Sequence, residues 1–88
     1  MKVKFDVIFL DNAIKFIGKL DTKTRNKILY NIDKSKVAND PKLFKKLMSK
    51  VWEFRTKYGG IQYRLLAFWD KMDKTKTLVI STHGIIKK

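Results

Sequence analysis

The chain has 88 residues, 44% of them hydrophobic, no cysteine, and 21 lysines and arginines against 8 acids, for a formal charge of +13. That length holds one domain with a small core, read here as residues 1–88 throughout, and that hydrophobic content excludes a disordered chain. The missing thiols exclude disulfides and cysteine-based zinc sites, and no run reaches the roughly 18 apolar residues that span a membrane.

The charge is unevenly spread. Residues 1–40 carry nine bases and five acids, whereas residues 41–88 carry twelve bases and three acids. Self-repulsion at this density destabilises a compact state unless an anionic partner compensates, so a polyanion is expected, RNA first. The opening MKVKFDVIFLDN alternates charge and has no small-residue cleavage site. No signal peptide is expected, and the chain reads as cytoplasmic.

Val3, Phe5, Val7 and Phe9 alternate with Lys2, Lys4, Asp6 and Ile8, the period of a strand. Asp11 or Asn12 is expected to cap a helix carrying Ala13, Ile14, Phe16, Ile17 and Leu20. Asp21-Thr22 marks a break and a second cap. Ile28, Leu29 and Ile32 then stripe the next helix, completing an αα-hairpin. Asp40-Pro41 reads as a further helix start, with Leu43, Phe44, Leu47 and Met48 on a short turn or helix. From Val51 the period changes to two. Tyr58-Gly59-Gly60 supplies a hairpin turn, 61–69 is a long apolar strand, and 78–82 is a third run that Gly84 ends or bulges. The order β-α-α-(α)-β-β-β predicts an α+β fold, a strand and helical hairpin packed on a twisted antiparallel sheet with its other face left to solvent or ligand.

One histidine cannot make the usual zinc sets, and no phosphate-binding glycine loop occurs. No metal and no cofactor is expected. Ser81 and His83 share a strand face without an evident carboxylate, so a serine nucleophile is not predicted.

The candidate chemistry lies on the strands. Alternation places Gln62, Arg64, Leu66 and Phe68 on one face, and Val51, Glu53 and Arg55 on one face of the neighbouring strand. Two guanidinium forks, with Lys57, Lys87 and Lys88 at strand ends, would make a phosphate surface. Tyr58, Tyr63, Trp52 and Trp69 are stacking platforms or, more simply, core; Tyr63 is kept as an RNA contact. Arg55 alternatively forms a solvated pair with Glu53 or Asp33. Lys45 and Lys46 read as solvated helix surface and secondarily as RNA contacts. Cleavage of RNA uses its own 2′-hydroxyl as nucleophile. The protein must then only move protons and stabilise charge on the phosphorane. His83 suits the proton work, imidazole having a reference pKa of about 6.5, or it is a strand-end residue without a chemical role. A lysine serves as base only where crowded positive charge pulls its pKa far down.

Three segments carry a resemblance: Val51-Trp52-Glu53-Phe54-Arg55, Tyr63-Arg64-Leu65-Leu66-Ala67-Phe68, and Leu78 through His83-Gly84-Ile85-Ile86-Lys87-Lys88. In that order, after a β-α-α start, the chain resembles the RelE/ParE superfamily of type II toxins, its phage-derived HigB-like branch most. The resemblance implies a helical hairpin on a twisted antiparallel sheet, and a ribosome-dependent mRNA endonuclease that inhibits translation. It implies mRNA on the ribosome and a helix-turn-helix antitoxin as partners. It assigns Arg55, Arg64, His83 and Lys87 to catalysis, with Lys88 beside them. Members of the branch usually continue into a lysine-rich segment and a final helix. This sequence ends at Lys88, as a truncated or naturally short form would. A ParE-like gyrase poison and a non-catalytic RNA- or ribosome-binding module are the alternatives.

Overall fold

A computed structural model describes residues 5–38, 40–48, 50–69 and 84–87, together with the backbone of 77–80. Eight elements follow in order: β1 (Asp6–Phe9), α1 (Asp11–Gly18), α2 (Thr22–Ser35), β2 (Phe44–Met48), β3 (Val51–Tyr58), β4 (Ile61–Trp69), β5 (Thr77–Ile80) and β6 (Ile85–Lys87). The α+β class expected from the sequence is observed, with two helices against a mainly antiparallel sheet.

The sheet runs β1-β5-β4-β3-β2, with β6 also on β4. β3 pairs with β4 from Val51↔Phe68 to Tyr58↔Ile61. This ladder takes one flank of β4, so β5 and β6 share the other. β5 pairs with residues 67–69 of β4 and β6 with residues 62–64. β1 joins the outside of β5 in parallel, from Asp6↔Thr77 to Phe9↔Ile80. The hairpin between β3 and β4 turns on Gly59 and Gly60, at φ 60° and 76°, a region costly for any side chain but open to glycine.

Two local expectations are corrected. Asp11 does not cap α1. The N-cap is Leu10, without a side-chain bond, and Asp11 lies in the first turn, where its charge faces the positive end of the helix dipole. Nor is there a helix after Pro41. Asp40 organises a turn, accepting from Lys42 N–H through its side chain and from Leu43 and Phe44 N–H through its carbonyl. The chain then enters β2. A turn and a helix start share their local signals; what decides is pairing with β3. Phe44 lies opposite Phe54 and stacks on both Trp52 and Phe54, ring centroids 4.6 Å apart in each case. The β2–β3 register shifts between Lys46 and Met48.

α1 and α2 cover one face of the sheet. Ala13, Ile17, Ile28 and Ile32 meet Phe5, Phe54, Tyr63, Leu65 and Ala67 in the core. Phe5 extends it toward the sheet edge, edge-on to Trp69 at 5.7 Å. Asn31 of α2 donates to the Thr56 hydroxyl of β3 at 3.2 Å, a buried polar tie that aligns helix and strand. Among the described residues no buried side-chain nitrogen or oxygen lacks a partner, and no helix is long and apolar enough to cross a membrane.

Gly84 is buried under α1 at φ +85°, where an added Cβ would fall 2.8 Å from Phe16 and 2.9 Å from Leu65. Gly84→Ala is expected to cost about 1–3 kcal/mol, from backbone strain and overpacking together, read as a lower urea midpoint. Asp21 caps α2, accepting from the Thr24 hydroxyl at 2.6 Å and the Thr24 N–H at 3.2 Å. These bonds, the hydroxyl first, hold its pKa below the ordinary aspartate value. The unfolded chain therefore binds the proton more readily. The cap's contribution is complete above the unfolded value and is lost as pH falls through the folded one. In thermal melts the gap between wild type and Asp21→Ala should close as pH drops below about 3.9.

Candidate nucleic-acid interface

The β3–β4 ladder sets Arg55 directly opposite Arg64. Strand alternation puts both on the face away from the helices, with Glu53, Leu66, Lys57 and Gln62. Two guanidinium groups side by side need a counter-charge, and Glu53 supplies it. Its Oε1 accepts from Arg55 Nε at 2.7 Å and lies 3.8 Å from Arg64 Nε. Arg64 also donates through Nη2 to Gln62 Oε1 at 2.8 Å. The pair between Glu53 and Arg55 was expected to be solvated. It is not: Glu53 is 3% exposed. The competing partner, Asp33, is taken by Lys36 at 3.2 Å. One buried carboxylate thus orients two arginines whose side chains stay 30% and 22% exposed, and one positive charge remains in excess for an incoming anion.

Beside this pair lies a cleft of about 460 Å³. Lys27, Tyr30, Asn31 and Lys34 of α2 form one wall, Lys42 and Leu43 of the turn before β2 another, and Arg55, Thr56, Lys57, Gln62, Tyr63 and Arg64 of the hairpin the third. Six of these residues are cationic and none is acidic. Such a lining focuses positive potential and favours a polyanion over any neutral ligand. Among the described residues no three of His, Asp and Glu gather in one place to hold a metal ion.

The sequence-derived candidates divide. Arg55, Arg64 and Lys57 come together at the cleft. Lys87 is exposed at the end of β6 and pairs across the sheet with Gln62, so Lys57, Gln62 and Lys87 form the next row along from the arginines. Lys45 and Lys46 are exposed, but on strand β2 rather than a helix. Lys45 lies opposite Glu53 and shares the arginine face; Lys46 lies opposite Trp52, on the other. Tyr63 reaches the cleft lining but is only 7% exposed and belongs to the core under the helices, so little of its ring is open for stacking. His83 and Lys88 lie outside the described residues. Sequence reasoning missed Lys27, Tyr30, Lys34 and Lys42. The signal was available for the first three, since spacings of three and four residues put them on one side of α2.

A family described as Phage derived protein Gp49-like matches residues 15–88. The chain belongs to that family. The Gp49-like proteins are a RelE/toxin-like family of toxin–antitoxin systems, which makes an antitoxin the expected partner. Every residue of the cleft falls inside the matched segment. No curated protein matches the chain.

Removing Glu53 from this Gp49-like chain would leave two arginines without their shared counter-charge. Glu53→Ala should therefore destabilise by about 1–3 kcal/mol in urea titration. Arg64→Ala, which leaves the 2.7 Å bond from Arg55 to Glu53 intact, should cost less.

Proposed function

We propose that this protein is the toxin of a type II toxin–antitoxin pair, of the HigB-like branch and RelE-like in fold, and that it inhibits translation by cutting mRNA on the ribosome. The observation that carries the reading is the arginine pair, Arg55 opposite Arg64 on buried Glu53, at the edge of a cleft without acidic residues. A phosphodiester seated there meets two planar forks already held in place. Charge that develops on the phosphorane is stabilised without reorganisation, the kind of contribution worth roughly 10²–10³ in rate per donor in other enzymes. The RNA brings its own nucleophile, the 2′-hydroxyl attacking the adjacent phosphorus as the P–O5′ bond breaks. His83 is the proposed proton carrier, taking the 2′-hydroxyl proton or delivering one to the leaving 5′-oxygen. Lys87, in the row beside Arg64, supplies further charge. The proposed partner that silences it is a helix-turn-helix antitoxin.

A second reading keeps the RNA and drops the cleavage. The described ionisable residues lining the cleft are lysines, arginines and tyrosines, with no carboxylate or imidazole among them. A module that only binds RNA or the ribosome needs nothing more.

Induction of the chain in cells, with mRNA 5′ ends mapped, separates the two. Cleavage predicts new ends that disappear when translation is blocked, and a loss of roughly 10²-fold or more in Arg64→Ala with the fold retained. Translation arrest with intact mRNA, equal in wild type and His83→Ala, would establish the binding module instead. Filamentation and DNA damage without either effect would overturn both.

A further inference from the structure

The cleft has a wall that phosphate chemistry leaves unexplained. On α2, Lys27, Tyr30 and Lys34 line it together, and Tyr30 is 58% exposed in a helix whose apolar residues Ile28 and Ile32 point into the core. The ammonium of Lys27 lies 5.4 Å from the centre of the Tyr30 ring. Lys27 thus lies over part of the ring in a cation–π contact, and the ring keeps exposed surface for a ligand. That surface is well suited to a ligand that alternates flat rings with negative charges. The Arg55–Arg64 pair and Gln62 line the same cleft. The volume of about 460 Å³ falls in the range of sites that take one small ligand, enough for a single nucleotide unit and far too small for a duplex.

We infer that Tyr30 is a nucleobase-stacking subsite for single-stranded RNA, seating one base on its ring while Lys34 and the arginine pair hold the phosphates on either side. The subsite rests on the RNA-binding half of the proposed function and is independent of cleavage. Stacking accepts any base, since every base has a π-face, so α2 would fix where the strand lies rather than which sequence it has.

The test uses the purified chain and two fluorescently labelled probes of equal length, an oligoriboadenylate and an abasic ribose-phosphate oligomer, followed by anisotropy at several salt concentrations. Tyr30→Ala should weaken binding of the oligoriboadenylate by roughly 5- to 150-fold, the range expected for loss of one base–aromatic stack, and leave the abasic oligomer unchanged. Tyr30→Phe should bind both like wild type. Lys34→Ala should weaken both probes and reduce the salt slope by about 0.7, as loss of one phosphate contact to a single strand does. Equal weakening of both probes by Tyr30→Ala, or no effect on either, would overturn the stacking role. So would failure of the wild type to distinguish the two probes, failure to bind RNA at low salt, or preferential binding of an acidic peptide in competition. Base-dependent loss in Tyr30→Ala alongside intact mRNA in cells would sustain the subsite while removing the endonuclease. Cleavage in cells with no base-dependent loss would do the reverse.

Discussion

The two-glycine turn at Gly59–Gly60 sets the β3–β4 register, and most of what the molecule can do depends on that register. A slip of β3 by one residue against β4 would turn Phe54 away from the helices and bring Glu53 and Arg55 beneath them, parting Arg55 from Arg64. In the observed register the apolar residues of both strands lie under α1 and α2, and the arginines meet on the opposite face. Core and charged site are thus two consequences of one alignment. Neither needs a device of its own beyond Glu53, which lies close enough to both guanidinium groups to fix their direction.

The charge of the chain gains a different meaning from this arrangement. A formal +13 spread over the surface would only repel itself. Six of the 21 cationic residues line one cleft that no acid lines, and there the charge becomes an anion trap whose strength varies with salt. Glu53 is the exception that makes the rest workable. Buried and doubly approached, it offsets part of the repulsion at the point where the guanidinium groups are closest, and it leaves the remaining lysines free to face solvent.

How much of this was legible in the sequence follows from which signals are local. Period two over 51–58 and 61–69, with two glycines between, identified the hairpin and its faces, while the register that sets Arg55 opposite Arg64 came only with the structure. The helical stripe through Ile28 and Ile32 and the Asp21 cap were equally plain, because each rests on neighbours in the chain. β2 was not legible. Leu43, Phe44, Leu47 and Met48 sit at helical spacings after a proline, and only the stacking of Phe44 on Trp52 and Phe54 makes this segment a strand. The parallel pairing of β1 with β5 and the place of β6 beside β4 are likewise matters of partner choice, which periodicity does not encode. The site was half legible for the same reason. Its strand residues share one hairpin, whereas Lys27, Tyr30 and Lys34 join them only once α2 has packed on the sheet.

The β2 edge shows the same alignment from the outside. Among the described strands β2 is the last on its side, so its backbone is a template on which a strand of another copy could build a continuous sheet. Its composition works against that outcome. Lys45 and Lys46 present like charges to both faces of any approaching copy, and the register shift between Lys46 and Met48 interrupts the row of backbone groups before a long ladder can form. Leu47 and Met48 are exposed on the same strand, so aggregation is held off by repulsion and a break in regularity rather than by a polar surface. Replacing the two lysines would therefore remove a guard against fibre growth as well as two positive charges.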